Sequence, residues 1–561
     1  MSLALALWVT VAAATPIAFE DVSEAMDMEI RSWEFGGDGI QGLAWFDFDG
    51  DLDLDLFVGN GPTQPCALFR NDNGQFIDIA AEAGVAVTTG VSGVLAADLD
   101  NDGDADLILS GDGGVLQDAR APMRTFENNG DGTFADRTET AGIVGRTNNL
   151  GATAGDFDGD GLLDLFVSAP GSLFTLINDR STLYSNNGDF TFTDVSAGSG
   201  VDTDWGSCVA TFTHLDGDNA IDLLVGNCNR ADGSAAPFET FLNRGDGTFI
   251  DESERLGITA QGYWMGFAFA DFDGDQTMDF FSTNVDVHVL YRRVTPDLWA
   301  DYSAATGVRN GKFAWGTVSP DFDNDGWPDL YYVGALPMID RQIGDKASAG
   351  EVYRNRGDGS FEAPTLPVDF SCRFASGVAQ ADYDGDGFPD LAITSSELVN
   401  VAGLGCGTQI EGGVTLLRNV GNDSHWLTVR LQPTTGNRDA VGALIYATTE
   451  SGTQMRAIHR GSSFASTNTP WPTFGLADSD RADICVRWSA GDSECFGTIE
   501  ANVQIELEEG QGVAEIEVDR PGPGPDRAER SSRSGGCAHL PLGGGWWVLL
   551  AFAAIRRGSG R

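Results

Sequence analysis

Basic residues are the scarce class in this chain. Its 561 residues include 33 lysines and arginines against 84 aspartates and glutamates, a formal net charge of −51. That shortage excludes a nucleic-acid binder, which needs Lys and Arg for phosphates, and it argues equally against an anionic membrane surface. Histidine is rarer still, with five copies. His539 lies in the C-terminal tail, and His288, His425 and His459 stand in separate segments with no partner visible in the sequence. A Gly-x-Ser-x-Gly elbow, a His-Glu-x-x-His pair and a phosphate-binding P-loop are all missing. Long apolar runs are missing too: the strongly apolar stretch 546–555 has ten residues, and a helix needs about 20 to cross a bilayer. Aromatics are not scarce. They make up 10% of the chain, within 42% hydrophobic residues, so disorder is excluded, and the length calls for two or more domains.

The acid is concentrated in seven copies of one loop, D-x-D-x-D-G-x-x-D-L. The copies begin at Asp47, Asp98, Asp156, His214, Asp271, Asp321 and Asp382, spaced by 51, 58, 58, 57, 50 and 61 residues. Carboxylates at loop positions 1, 3 and 5 converge when the backbone curls, position 9 closes the shell, and a carbonyl near position 7 adds an oxygen. An all-oxygen shell suits a hard cation of flexible coordination, which is Ca²⁺. The expected ligands are Asp47, Asp49, Asp51 and Asp55; Asp98, Asp100, Asp102 and Asp106; Asp156, Asp158, Asp160 and Asp164; Asp271, Asp273, Asp275 and Asp279; Asp321, Asp323, Asp325 and Asp329; and Asp382, Asp384, Asp386 and Asp390. In the fourth loop His214 replaces the first carboxylate, so Asp216, Asp218 and Asp222 form a weak or empty site and about six ions are expected. Leu52 and Gln276 stand where Gly is usual and should strain the curl slightly. An EF-hand is excluded, since position 12 is Val58, Leu109, Val167, Val225, Ser282, Tyr332 or Ile393 rather than Glu, and the flanks read as strands.

Each loop is followed by an aromatic strand, an Asn/Gly/Asp turn and another strand, as in "FENNGDGTFADRT" (126–138). This is hairpin chemistry. A repeat therefore supplies four strands. Seven such units predict an all-β chain: a seven-bladed β-propeller followed by a small β-rich domain. Gly42, Gly93, Gly151, Gly266, Gly316 and Gly377 precede six loops by five residues, where inner strands crowd the axis. The segment 18–23, "AFEDVS", matches the fourth-strand text "TFTDVS" (191–196), and the seventh repeat stops at "VTLLRN" (414–419). Residues 18–23 are expected to complete blade seven.

These repeats resemble the FG-GAP/VCBS repeats of integrin α-subunit propellers and bacterial surface proteins. After them, "GNRDAVGA", "FGLA", "VRWSAG" and "ANV" within 420–510 resemble the ASPIC/UnbV domain of the cartilage acidic protein-like family. The resemblance implies a secreted, calcium-binding propeller with a C-terminal β domain. The tail, Cys537 followed by apolar residues and Arg556-Arg557, resembles the sorting tails of myxobacterial exported proteins; a plain hydrophobic tail is the alternative.

The expected organisation is a signal peptide at 1–15, the propeller at 16–419, the ASPIC/UnbV-like domain at 420–510, a Pro/Gly/Arg linker at 511–536 and a sorting or anchoring tail at 537–561. Export to the cell surface or beyond permits disulfides. Local order suggests Cys208 with Cys228, Cys372 with Cys406 and Cys485 with Cys495, leaving Cys66 and Cys537. Arg244-Gly245-Asp246 and Arg356-Gly357-Asp358 spell an adhesion tripeptide, but both sit in the hairpin turn, whose chemistry already explains the Gly and Asp. On the face opposite the cation loops, Trp205, Tyr263, Trp264, Phe313 and Trp315, with Arg120, Arg124, Arg180, Arg230, Arg309, Lys312, Arg341 and Lys346, are expected to form a recognition surface. Packing between blades is the competing role for each Trp. The expected partner is an extracellular protein or polysaccharide, with no nucleic acid and with membrane contact only through the tail. The function expected is non-enzymatic adhesion or ligand binding; a carbohydrate-active enzyme or biosynthetic accessory on the same propeller is the alternative.

Overall fold

A computed structural model describes residues 17–514 apart from 27, 29–39, 61–63, 112–122, 144–148, 171–179, 202–204, 231–233, 335–349, 363–373, 397, 400–408 and 411–412. The signal, the tail, the proposed Cys372–Cys406 bond, Cys537, Arg120, Arg341 and Lys346 lie outside the described residues.

Seven antiparallel sheets follow the seven repeats. Blade one is typical: Leu43–Phe46 leads into the acidic loop, Asp55–Val58 leaves it, and Ala67–Asn71 and Phe76–Asp78 complete the sheet in sequence order. Blades two to five repeat that order. Among the described residues blade six has three strands and, at the place of a fourth, the bridge Asn355↔Phe361. Buried apolar side chains of neighbouring blades interlock, as where Leu95, Ala97 and Ile108 of blade two meet Leu165, Phe166 and Val167 of blade three. Among the described residues no helix is long and apolar enough to cross a membrane.

Blade seven takes its outer strand from the other end of the chain. Phe19–Asp21 pairs antiparallel with Gly413–Asn419, Phe19 opposite Asn419 and Asp21 opposite Leu417. The closure copies the bonds made inside continuous blades. In blade four the Ser253 hydroxyl bonds the Asp251 carboxylate and accepts the Thr240 N–H at 2.8 Å. In blade seven Ser23 bonds Asp21 and accepts the Leu416 N–H at 2.9 Å. A shared D-x-S ending therefore explains why a segment 393 residues away can stand in for a local strand.

The inner-strand glycines have a steric cause. A Cβ on Gly93 would lie 2.1 Å from the Leu150 carbonyl oxygen of the next blade, and one on Gly377 would lie 2.4 Å from that of Gln41.

The C-terminal domain is two sheets round its own core. His425–Gln432 lies between Thr473–Ala477 and, in parallel, Val503–Glu508. Facing it is a five-stranded sheet that contains Leu444–Thr449 and Arg481–Arg487. Leu427, Val429, Ile445, Phe474, Ile484 and Trp488 fill the space between. Between its strands the chain leaves the domain as the segment 458–472 and runs down the propeller axis. There it bonds inner strands of several blades: the Val94 N–H donates to the Ala465 carbonyl (3.0 Å), Thr467 N–H to Leu43 (2.9 Å), Ala154 N–H to Arg460 (3.2 Å), Phe267 N–H to Ser462 (3.3 Å) and Thr469 N–H to Gln380 (3.1 Å). The hub is a filled channel, and the filling belongs to the second domain.

Candidate metal centres

Each acidic loop is shaped by its own carboxylates. The first aspartate accepts the N–H of position 6, as from Gly103 to Asp98 (2.8 Å) and Gly161 to Asp156 (3.0 Å). The ninth is buried and uses both oxygens on backbone N–H groups. Asp106 takes those of Leu99 and Asn128, each at 2.8 Å, and Asp390 takes those of Tyr383 (3.1 Å) and Asn419 (2.7 Å). Leu52 and Gln276 take left-handed backbone, φ 75° and 63°, so the curl forms even where Gly is replaced.

Acidic oxygens within 4.8 Å of one another come from positions 1, 3 and 9 in loops one, two, three and five (Asp47/49/55, Asp98/100/106, Asp156/158/164 and Asp271/273/279). Loop six gathers positions 1, 3 and 5, Asp321, Asp323 and Asp325. The fifth-position carboxylates Asp51, Asp102, Asp160 and Asp275 are not among the three oxygens grouped in these four loops, although Asp102 acts directly on Asp100 and Asp160 on Asp158. Each accepts the N–H two residues on, at 2.9 Å in the first three and 2.8 Å in the last, as the grouped Asp325 does from Trp327 at 3.0 Å.

These clusters fit a cation. One carboxylate oxygen (Oδ1) on each of Asp100, Asp273, Asp323 and Asp382 is buried with no hydrogen-bond partner, a costly state for an anion unless a positive charge joins it. Burial, reinforced by neighbouring carboxylates, pushes Asp98 and Asp382 up to about 7, and burial pushes Asp55 and Asp164 up to about 8. Several buried aspartate groups can therefore hold a metal ion, and their donors are all hard oxygens.

Comparison with known proteins matches these repeats. The FG-GAP-like repeat family model covers residues 47–109, 114–167, 214–282 and 321–393, and the ASPIC and UnbV model covers 433–514. The chain carries FG-GAP repeats and an ASPIC/UnbV domain. Cartilage acidic protein 1 of Homo sapiens is 23% identical over 486 residues, 80% of this chain and 69% of that protein. The Xenopus tropicalis protein of the same name is 22% identical over 506 residues, 83% of this chain and 73% of that one. Among solved structures, a lectin of Agrocybe aegerita that recognises non-reducing terminal N-acetylglucosamine aligns with 69% of this chain and 91% of its own, at 18% identity and a TM-score of 0.36.

The ASPIC/UnbV domain docks on the FG-GAP loops, and the motifs that mark the domain make the contacts. From "GNRDAVGA", the Arg438 N–H bonds the Asn101 side chain (2.8 Å), the Asp439 carboxylate accepts the Asp98 N–H (3.0 Å), and the Gly442 carbonyl meets the His214 Nε2 (2.9 Å). From "FGLA", Gly475 lies so close to loop six that a Cβ would meet Asp321 Oδ2 at 2.3 Å, and the Ala477 N–H bonds the Asn324 carbonyl (2.9 Å). The Arg460 guanidinium grips Asp439, tying loop two to the axial segment.

An asparagine closing the third strand was missed as a site residue. Asn128 Nδ2 reaches the Ala105 carbonyl of its own loop (3.2 Å) and the Phe48 carbonyl of the previous one (2.8 Å). Asn71, Asn186, Asn243, Asn355 and Asn419 make the same pair of bonds. The signal was its recurrence in "FRN", "FEN", "YSN", "FLN", "YRN" and "LRN", where it passes for turn composition.

The expected recognition surface needs correction. Trp264 is 1% exposed, stacked on Phe238 with ring centroids 4.1 Å apart, and its Nε1 bonds the Ala236 carbonyl. Phe313 is also buried. Trp315 is half-buried against Phe464 of the axial segment, centroids 5.0 Å apart. Arg124 and Arg309 pair with Asp136 and Asp301 of their own blades. Tyr263 is half-buried. Trp205 remains as a half-buried ring with the Arg230 guanidinium 4.4 Å from its centroid, beside the Cys208–Cys228 disulfide. A second disulfide joins Cys485 to Cys495, and Cys66 is a buried thiol.

Proposed function

We propose that this protein is an exported, calcium-stabilised propeller that binds a partner outside the cell without catalysing a reaction. The observation that carries the reading is the repeated cluster of buried carboxylates with unpartnered oxygens. All-oxygen donors in a flexible curl favour Ca²⁺ over Mg²⁺, which demands near-octahedral geometry and keeps its waters, and over softer metals. Two disulfides support an oxidising compartment. The filled hub supports binding away from the axis rather than turnover in an axial pocket. Trp205 with Arg230, at the entry to the inner strand of blade four on the face opposite the acidic loops, is the feature best suited to a sugar ring or a protein side chain.

Calorimetric titration of chelator-stripped protein tests the metal: heat of binding for Ca²⁺ and a raised melting temperature are expected, and no heat defeats the reading. A glycan array and an extracellular-protein array, each probed with wild type and Trp205→Ala, test the partner. Binding that survives the substitution removes this site, and products released from a bound polysaccharide would make the protein an enzyme.

A further inference from the structure

Loop four and blade five depart from their sisters at three places that meet. The first is His214, where every other loop begins with Asp. Its ring is half-buried, Nε2 against the Gly442 carbonyl (2.9 Å) and Nδ1 against that of Ala220 (3.3 Å), so it is engaged with carbonyls rather than turned to a shared ion. The second is Arg293, which stands where the other six third strands end in the bracing Asn. Its N–H keeps the usual bond to the ninth-position Asp279 (3.1 Å), but its side chain runs back to loop four: a Cβ on Gly217 would lie 2.3 Å from Nη2. Burial is the largest influence on that guanidinium and holds its pKa below the ordinary value; Asp216 and Asp222 are the carboxylates that oppose it most, and its Nε is buried without a hydrogen-bond partner. The third is Trp299. With no Asn available, the Leu215 carbonyl of loop four takes the Trp299 Nε1–H at 3.0 Å. The curl differs as well. Asn219, at position 6, does not adopt the left-handed backbone of Leu52, Gly103, Gly161, Gln276, Gly326 and Gly387.

We propose that the Arg293 guanidinium takes the place of the metal ion in loop four, making the joint between blades four and five a permanent, metal-independent lock. A guanidinium set against Gly217 brings into loop four the positive charge that an ion would bring to the other loops. The indole of Trp299 restores the inter-blade bond that replacing Asn removes. The ring then binds six ions, and this joint keeps its shape when calcium is withdrawn. The count of six rests on the calcium reading above; the role of Arg293 does not.

Two measurements on the full chain test it. Equilibrium dialysis with radioactive Ca²⁺ should give six ions for wild type and seven for His214→Asp/Arg293→Asn, which restores both repeat residues. Seven in wild type, or six in both, overturns the proposal. In chelator throughout, amide exchange across 214–222 should run about tenfold faster in Arg293→Gln than in wild type. Equal exchange overturns the lock, and this single variant decides if the double variant fails to fold. No bound ion in either protein defeats the calcium reading and the count, and the exchange comparison then decides the role of Arg293 alone.

Discussion

Loops two and six are nearly the same text, "DLDNDGDADL" and "DFDNDGWPDL", in opposite electrical surroundings. Over loop six, Arg354 from the third strand grips Asp323 and Asp325. The half-buried Arg456 of the ASPIC/UnbV domain adds a second cation near Asp321 and Asp329. At the strand position of Arg354, loop two has Glu127, which adds to the repulsion on Asp100, and the second domain brings Asp439, which adds to that on Asp98. One loop sequence is thus neutralised in two ways. Loop six carries much of its own positive charge, whereas at loop two the nearby arginines Arg137 and Arg460 grip Glu127 and Asp439 rather than the loop's own carboxylates, so an ion has more to neutralise there. Dependence on metal should be uneven round the ring.

The largest expected effect is that of chelation. At ten times the dissociation constant each ion stabilises the fold by about 1.4 kcal/mol, roughly 8 kcal/mol for six independent sites. Hydrogen exchange in chelator should accelerate about 100-fold across 98–106 and no more than about tenfold across 321–329. Equal acceleration would break the comparison.

Acidity comes next. In the metal-free protein, burial and neighbouring carboxylates hold Asp98 and Asp382 up at about 7, and burial holds Asp55 and Asp164 up at about 8, against 3.8 for an ordinary Asp. The folded state then holds more protons than the unfolded chain over that window, so stability falls as pH rises through it. Chelated protein should melt highest near about pH 5 and several degrees lower near about pH 8. Calcium should remove or reverse this slope, because its ligands must be deprotonated. Melting curves with and without calcium would show it; a slope of the opposite sign in chelator would contradict the burial described.

Smaller again is the loss of one cation. Arg354→Ala leaves two part-buried carboxylates unpaired and should cost about 3 kcal/mol in chelator, less with calcium. Glu127→Gln should make loop two less sensitive to chelator. Urea unfolding in both conditions measures each. The smallest effect sharpens the contrast from the other side. Asn128→Ala and Asn355→Ala should each cost about 2 kcal/mol, alike in both loops and with or without calcium, because each strips donors from two buried carbonyls.

The blades were legible because each repeat carries its own punctuation: the acidic loop recurs in all seven, the Asn/Gly/Asp turn in most, and the D-x-S ending in the third, fourth and fifth as in the latch. The N-terminal latch was legible for the same reason, since "AFEDVS" repeats the ending of an internal blade. The axial segment was not. Residues 458–472, "IHRGSSFASTNTPWP", have no strand or helix period, and much of their hold is main-chain bonding to distant strands, which side-chain pattern does not record. Trp264 was misplaced because its position at the entry to an inner strand is shared by rim and inter-blade residues. Only the Phe238 ring stacked on it decides which it is.

The axial segment also has a bearing on the order of assembly. Val94, Ala154 and Phe267 offer their N–H groups inward to carbonyls that lie beyond residue 457. During synthesis those residues emerge after all seven blades. Until they arrive, the ring has an axle-shaped gap lined with donors that only water can satisfy. A nascent wheel without its spindle leaves those donors to water, and the segment made after the blades takes them over.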